Sequence, residues 1–245
     1  MKQRLTDLAN RCYQNGHYTF SHFLSASEMD EFFQMKKELV FVPYTAFGGS
    51  EDAERQIVRF GSEQMFGYEE PFPICCLSCR PVLPKFAENL NHRDILGALM
   101  NLGIERDVIG DILVRDKECY FFCLENMREY ICQTLKKIRH TNVVCEEADG
   151  LPAAFAPVRK REEHMIASER CDALLSKVYH LSRGKCILLF QEKKVFVNSR
   201  QFENSSGTLK EGDIVSVRGF GKFVYLGVVR ETKKGRVTVA IEKYV

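Results

Sequence analysis

The chain of 245 residues contains no tryptophan and no long apolar run. No stretch approaches the roughly 18 consecutive apolar residues that cross a bilayer, which excludes a membrane-spanning helix. The residues from Met1 to Asp7 lack the apolar core of a signal peptide, so we expect a cytoplasmic protein. Repeats and low-complexity tracts are absent too, and 45% hydrophobic residues predict globular folding.

Catalytic signatures are also missing. The six histidines form no HExxH or other ligand spacing, and no GxSxG or Cys–His signature occurs. Gly219 and Gly221 lie between two strand patterns with no helix after them, which excludes a phosphate loop. Asp111, in Gly110-Asp111-Ile112, could be proposed as catalytic, but an Asp at a strand entrance is more often a turn residue. We therefore expect no enzyme, no catalytic residue and no cofactor.

Ten cysteines lie mostly within apolar segments, which favours reduced thiols that pack as small hydrophobic groups. Cys76 and Cys79 have the spacing of half a zinc site, and Cys119 and Cys123 follow downstream. In a strand, however, residues three apart point to opposite faces of the sheet. We therefore expect no metal site.

Apolar periodicity predicts an α+β protein of three small domains. The first is an N-terminal α/β domain, residues 1–71, ended by the prolines at 71 and 73. Its predicted elements are a first helix that stops near Gly16, a second helix with Ser27 as N-cap and Asp30 at N3, and strands over 39–44 and 56–60.

Residues 72–152 predict a central domain with the order β-α-α-β-β-α-β. This order indicates a two-layer, RRM-like α/β plan with helices on one face of a sheet. Asn91 with Asp94, and Asn126 with Glu129, predict capping boxes at two helix starts. The remaining predictions are a short helix over 84–90, strands over 74–80, 111–115, 119–124 and 142–145, and a linker over 146–161.

The third domain, residues 164–245, is basic. Residues 159–245 contain 18 Lys and Arg against 10 Asp and Glu, whereas residues 1–158 contain 17 against 23. A compact basic module on an acidic body favours binding of a polyanion, most often a nucleic acid. Two helices, strands over 194–198 and 213–218, and a hairpin over 223–229 and 236–242 that turns at 232–235 are predicted here.

A phosphate site is predicted where the second helix of this module begins. Ser182 is placed to cap that helix, and Arg183 and Lys185 lie in its first turn. Cations there oppose the helix dipole unless a phosphate docks on the free N–H groups. Lys193, Lys194 and Arg200 flank the next strand, and Lys222 lies between Phe220 and Phe223, an interleaving suited to backbone contact and base stacking. The alternative is a solvated basic face with buried phenylalanines.

The basic module resembles the S4 RNA-binding domain, with its αL-like core and here an extra β-hairpin. The residues that carry the likeness are Arg170-Cys171-Asp172, Ser182-Arg183, Lys194 to Asn198, and Gly212-Asp213. Cys171 stands where leucine is usual, and Ser199-Arg200 where glycine is common. The resemblance implies RNA contact by Arg170, Ser182, Arg183, Lys185, Lys193, Lys194, Asn198 and Lys222.

Nearly the whole chain resembles the YlmH family of Gram-positive bacteria. The motifs are Gly48-Gly49, Ala53-Glu54-Arg55, His92 to Ile104, Gly110-Asp111-Ile112 and Ser216 to Phe223. The resemblance implies a non-catalytic protein that binds the large ribosomal subunit, with its rRNA and tRNA, during rescue of stalled nascent chains. It also implies further RNA contacts through His92, Arg93 and Arg106, although His92 and Arg93 have the alternative of a simple helix start.

Two other functions remain open. The S4-like module could guide an RNA-modifying enzyme to its substrate, although no catalytic signature accompanies it. The acidic half could instead bind a protein partner in cell division. For the leading hypothesis we expect RNA and the large subunit as partners, no membrane, and a monomer.

Overall fold

The structure is a computed structural model that describes residues 1–231 and 235–244. The chain divides into two units, residues 1–156 and 157–245. Within the described residues, no helix has the length and apolarity needed to cross a membrane. The predicted boundaries at 71, 152 and 164 remain predictions.

The N-terminal part of the first unit packs helices against a small antiparallel sheet. Its elements are α1 (Lys2–Asn15), β1 (Thr19–Phe20), α2 (Ala26–Gln34), β2 (Tyr44–Phe47), β3 (Ile57–Phe60) and α3 (Glu63–Phe66). The strand order is β1-β3-β2. Leu5, Ala9 and Cys12 of α1 recur at helical spacing and are buried against Phe32 and Phe60. Gly16 ends α1 in the left-handed region, as predicted.

Two predictions in this part are wrong. The N-cap of α2 is Ser25, not Ser27, because the Ser25 side chain accepts the Glu28 N–H while Glu28 accepts the Ser25 N–H. The strand predicted over 39–44 begins only at Tyr44. Leu39 and Val42 are buried without strand pairing, so their apolar pattern reflects core packing in a turn.

The central part of the first unit contains a five-stranded antiparallel sheet, order β5-β6-β4-β8-β7. Its elements are β4 (Ile74–Pro81), α4 (His92–Asn101), β5 (Ile109–Arg115), β6 (Glu118–Leu124), α5 (Arg128–Thr134), β7 (Lys137–Ile138) and β8 (Thr141–Ala148). Helices α4 and α5 cover one face, where Ile95, Leu99 and Ile131 pack on Leu77 and Phe121. The helices lie on one face of the sheet, as predicted.

Some local predictions for the central part need correction. The helix predicted over 84–90 is only a 3₁₀ turn at Pro84–Phe86. Asn126 is not an N-cap, because Glu125–Met127 form a 3₁₀ turn and α5 begins after Met127 without a side-chain cap. The capping box of Asn91 and Asp94 is confirmed.

The second face of the central sheet is covered by the rest of the first unit. Cys76 and Phe122 on this face are buried together with Phe23 and Ile57 from the N-terminal part. The Tyr120 ring packs on Phe155 with centroids 4.5 Å apart. Modules such as the RRM stack bases on aromatic side chains of an open sheet face. In this chain the corresponding rings pack against protein instead.

The second unit is a six-stranded antiparallel sheet with two helices on one face, strand order β11-β10-β12-β13-β14-β9. Its elements are β9 (Arg159–Ile166), α6 (Cys171–Val178), α7 (Arg183–Gln191), β10 (Val195–Val197), β11 (Arg200–Gln201), β12 (Ile214–Val217), β13 (Gly221–Glu231) and β14 (Val237–Tyr244). Leu174, Leu175 and Leu189 pack on Val215 and Val239.

The predicted linker over 146–161 is wrong at both ends. Strand β8 continues to Ala148, and β9 begins at Arg159 because it pairs along its whole length with β14. Strand β9 lies at the edge of the sheet and consists mostly of polar residues. Its sequence therefore lacks the apolar alternation by which a strand is predicted. Of the predicted turn at 232–235, residues 232–234 lie outside the described residues.

Candidate nucleic-acid interface

Helix α7 begins as the sequence predicts. The Ser182 hydroxyl accepts the Lys185 N–H at 3.3 Å. Arg183 and Lys185 are exposed on the first turn. No acidic residue lies in that turn to offset the partial positive charge of the helix start. A phosphate bound there would meet both side chains and the first N–H groups.

Arg170 and Asn198 both form side-chain hydrogen bonds within the second unit. The Arg170 guanidinium donates two hydrogen bonds to Asp172, at 3.0 and 2.8 Å, and the Asp172 side chain is only 1% exposed. Asn198 lies in the left-handed region at φ 50. Its side chain donates to Asp213 at 2.8 Å and accepts the Ile214 N–H at 2.9 Å. These contacts explain both residues structurally, and their RNA contact remains a prediction.

Lys193 and Lys194 have acidic neighbours. The Lys193 ammonium lies 3.8 Å from Glu203, and the Lys194 ammonium lies 2.7 Å from Glu192. All four side chains are substantially exposed, so these pairs hold the lysines only weakly. A phosphate at these two positions would compete only with weak ion pairs, and RNA contact by both lysines remains a prediction.

Lys222 belongs to a row of cation–aromatic contacts that the sequence did not reveal. Its ammonium lies 4.4 Å from the centre of the Tyr244 ring, and the Arg159 guanidinium lies 5.0 Å from the same ring. Arg218 lies in the same way over Phe196, at 4.9 Å. Strand pairing places Ser216 opposite both Lys222 and Phe196, which aligns these contacts on one face.

The central residues predicted to contact RNA gather around a guanidinium pair. Arg106 donates to the backbone oxygens of Ile109 and Gly110, and Arg55 donates to the same Ile109 oxygen at 2.9 Å. Burial, together with the charge of Arg55, lowers the pKa of Arg106 to about 10. Desolvation and the charge of Arg106 lower the pKa of His92. The structure thus groups Arg55, Arg106 and His92, and sequence reasoning missed Arg55.

Arg93 is exposed at the first turn of α4. Its N–H donates to Asn91 at 2.9 Å, which is an ordinary helix cap. The structure therefore explains the backbone of Arg93 by helix capping alone, and RNA contact by its side chain remains a prediction.

The cysteines considered for zinc lie in two different cores. Cys79 packs under the helices of the central sheet, together with Cys75, Cys119 and Cys123, whereas Cys76 faces the N-terminal part. The Sγ atoms of Cys75 and Cys123 are 3.3 Å apart. Strand alternation thus separates Cys76 from Cys79, as the spacing in a strand requires.

Comparison with known proteins bears on the central domain. Residues 78–150 match the family model described as "Putative RNA-binding domain in YlmH". We call residues 78–150 the YlmH-type domain. The resemblance to the YlmH family is thereby confirmed.

Two further comparisons found similar proteins. The chain is 28% identical over 200 residues to "Ribosome-associated protein quality control protein P2" of Bacillus subtilis (strain 168), covering 80% of this chain and 76% of that protein. It is also similar to the structure titled "Cell division protein ylmH from Streptococcus pneumoniae", at 22% identity and a TM-score of 0.49. That alignment covers 60% of this chain and 87% of the other.

Several motifs of the YlmH resemblance meet where the YlmH-type domain joins the N-terminal part. The Asp111 carboxylate accepts the backbone N–H groups of Glu54 and Arg55 at 2.7 and 3.1 Å. A Cβ at Gly110 would lie 2.8 Å from the Phe23 ring, and one at Gly49 would overlap the Phe122 ring. Asp111 is therefore a structural residue of this joint.

Proposed function

We propose that this chain is a non-catalytic RNA-binding protein that associates with the large ribosomal subunit, through rRNA and tRNA, in quality control of stalled nascent chains. One observation carries the proposal. The chain shares 28% identity across 80% of its length with a protein named for ribosome-associated quality control. The match of residues 78–150 to a model described as RNA-binding supports the same function.

The physical chemistry of the second unit supports RNA as the ligand. Residues 159–245 carry eight more basic than acidic residues. Exposed Arg183 and Lys185 offer two cations at the start of α7, the end of a helix that attracts anions. We propose an S4-type domain here, with RNA contacts through Arg170, Ser182, Arg183, Lys185, Lys193, Lys194, Asn198 and Lys222.

In this proposal the YlmH-type domain adds a second set of contacts. Arg106 and Arg93 supply positive charge near one end of α4, and Arg55 adds to it, while the lowered pKa of His92 leaves its imidazole neutral and able to hydrogen-bond RNA. A guanidinium stays charged at neutral pH and has several N–H donors, so the Arg55 and Arg106 pair suits an RNA backbone through the donors that the backbone oxygens leave over. The protein acts as a monomer in the cytoplasm, where ribosomes are found.

Charge reversal at α7 tests the proposal. We expect R183E/K185E to abolish co-sedimentation with purified large subunits, because both cations change sign at the predicted phosphate site. The matched control is K36E/K37E, which changes the net charge equally at two exposed lysines of the N-terminal part. Co-sedimentation of R183E/K185E at the level of the control would refute this site. Failure of the wild-type protein to co-sediment would refute the function.

The non-catalytic assignment has its own test. Purified protein is incubated with rRNA and tRNA, and the nucleosides are analysed by mass spectrometry. We expect no modified nucleoside above the level of untreated RNA. A new modification that depends on the protein would show an enzyme instead.

A further inference from the structure

One stretch of the central part exposes an unusual amount of apolar surface. Between β4 and α4, Val82 is 53% exposed, Leu83 64% and Phe86 78%. Single exposed apolar residues are common, but three within five positions form a patch. None of the contacts described so far uses these side chains. We call residues 82–86 the Phe86 loop.

The Phe86 loop is anchored at both ends. The Val82 N–H donates to the Asn142 oxygen at 2.9 Å, and the Glu88 N–H donates to the buried hydroxyl of Thr141 at 3.1 Å. Between these anchors the 3₁₀ turn at Pro84–Phe86 is closed by a hydrogen bond from the Phe86 N–H to the Leu83 oxygen. The backbone of the loop is therefore already ordered with the Phe86 ring exposed. Binding of a ligand to the ring would cost little further conformational entropy of the loop.

Cations lie on the Phe86 loop and next to it. The Lys85 ammonium lies 6.0 Å from the centre of the Phe86 ring. Lys117, from the turn between β5 and β6, donates to the Pro84 oxygen at 2.9 Å. Arg139 reaches the same region through its ion pair with Glu88 at 3.4 Å. Arg139 is also 3.7 Å from Asp94, so its charge is offset by two carboxylates. Lys85 and Lys117 are therefore the two cations that accompany the exposed aromatic ring.

We propose that the Phe86 loop is a base-stacking site for single-stranded RNA. An aromatic face flanked by cations is how proteins hold single strands, because the ring stacks on a base while the cations meet the neighbouring phosphates. A purely apolar protein partner would leave the charges of Lys85 and Lys117 without partners. The open-sheet mode of base stacking is closed here, since Tyr120 and Phe122 pack against protein.

The inference rests on the proposed RNA-binding function and deepens it. It assigns the YlmH-type domain a ligand, which is an unpaired nucleotide. It also names Phe86 as the residue on which the base stacks. The site is separate in sequence from the cationic group of Arg55, Arg106 and His92.

The absence of tryptophan from the chain allows a direct test. In the full-length protein, F86W introduces one fluorophore at the proposed stacking position. We expect an oligouridylate of about ten nucleotides to quench the emission of F86W. The matched control is Y130W, which replaces another exposed aromatic residue of the same domain, on α5. Quenching in Y130W should be absent. Equal quenching of both variants, or of neither, would overturn the proposal.

Affinity measurements separate stacking from general apolar contact. We expect F86A and F86L to bind the oligouridylate roughly tenfold more weakly than the wild type, while F86Y keeps wild-type affinity, because stacking requires a ring. Wild-type affinity in F86L would overturn the proposal in favour of apolar protein docking. Absence of oligouridylate binding in the wild type would also overturn it, whereas the proposed function stands or falls by co-sedimentation with large subunits.

Discussion

Single side chains decide how the N-terminal part meets the central sheet. Asp111 is the clearest case, because both of its carboxylate oxygens accept backbone N–H groups from a segment more than 50 residues away in sequence. The sequence motif around Gly110 and Asp111 resembles a turn, and nothing local reveals its distant partners. The structure explains the Asp111 carboxylate by its hydrogen bonds to the backbone of Glu54 and Arg55.

Removing the Asp111 carboxylate should weaken this joint. We expect D111A to lower the free energy of unfolding by about 2 kcal/mol, because hydrogen bonds to a charged acceptor contribute about 1.5 to 3 kcal/mol. Urea unfolding followed by circular dichroism measures the change. The control is D149A at an exposed position, which should stay within about 0.5 kcal/mol of the wild type. Equal stability of the two variants would contradict the structural role.

Asp107 makes the stability of the contact between the N-terminal part and the central part depend on pH. Its carboxylate lies 2.7 Å from His22 Nδ1 and 3.4 Å from an Arg4 guanidinium nitrogen. Partial burial acts to raise the pKa of Asp107, but the hydrogen bonds and positive charges of His22 and Arg4 outweigh it and hold that pKa below its ordinary value. A depressed pKa means that the folded state binds fewer protons than the unfolded chain.

The stabilisation from Asp107 should therefore be present above its ordinary pKa of about 4 and disappear as the pH falls through the depressed value. We expect D107N to be less stable than the wild type at pH 7 and to approach it in acid. Urea unfolding at a series of pH values measures the difference between them. A difference that stays constant down to low pH would show that the carboxylate charge plays no part.

At the scale of elements, glycine positions show how closely the parts approach. Gly110 lies in the irregular part of β5 between Ile109 and Ile112, and an added Cβ would lie 2.8 Å from the Phe23 ring and 2.9 Å from Phe122. Gly97 lies within α4, where an added Cβ meets nothing within 4 Å. The same residue type is thus required by packing in one element and incidental in another.

The two glycines predict opposite effects. G110A should destabilise the protein by about 1 to 3 kcal/mol through overpacking. G97A should instead stabilise it by up to about 1 kcal/mol, since alanine favours a helix over glycine. Thermal unfolding of both variants beside the wild type measures the pair. Loss of stability in G97A, or none in G110A, would contradict the packing described.

The burial of the cysteines predicts that their thiols react slowly in the folded protein. Nine of the ten are buried, and Cys132 is partly exposed. Burial raises the pKa of Cys132 to about 11, so even this thiol is mostly protonated near neutral pH. We expect the native protein to react slowly with DTNB at pH 8, with C132S removing the fastest phase, and all ten thiols to react after unfolding. Rapid reaction of several thiols in the native protein would contradict this core.

At the scale of the whole molecule, charge separates the two units. The acidic first unit and the basic second unit give the chain a net charge of only +2, which hides the excess of eight basic residues in 159–245. Binding that depends on phosphate contacts must weaken as salt rises, because each neutralised phosphate releases counterions.

The salt dependence of RNA binding should report the cations of α7. For single-stranded RNA the slope of log affinity against log salt is about −0.7 for each phosphate contacted. We expect R183Q/K185Q to reduce the size of that slope by about 1.4, while K36Q/K37Q leaves it unchanged. Fluorescence anisotropy at several salt concentrations measures both. An unchanged slope in R183Q/K185Q would remove these residues from the interface.

The sequence by itself determined the elements with strong local signals. The capping box at Asn91, the cap at Ser182 and the Gly16 stop depend on contacts within a few residues, so they could be predicted. Where two local patterns competed, prediction failed: Ser25 rather than Ser27 caps α2, and Leu39 is buried in a turn rather than a strand. The charge contrast between the two units was also visible, because net charge needs no coordinates.

Only the tertiary structure decided which residues meet across long sequence distances. The Asp111 contact with Glu54, the stacking of Arg159 and Lys222 on Tyr244, and the covering of Phe122 all join segments far apart in the chain. Such contacts form when the packing of apolar faces brings distant strands together, and one sequence does not encode the register of those strands locally. The exposure of Phe86 belongs to the same class, because an aromatic residue is normally assigned to the core until its neighbours are known.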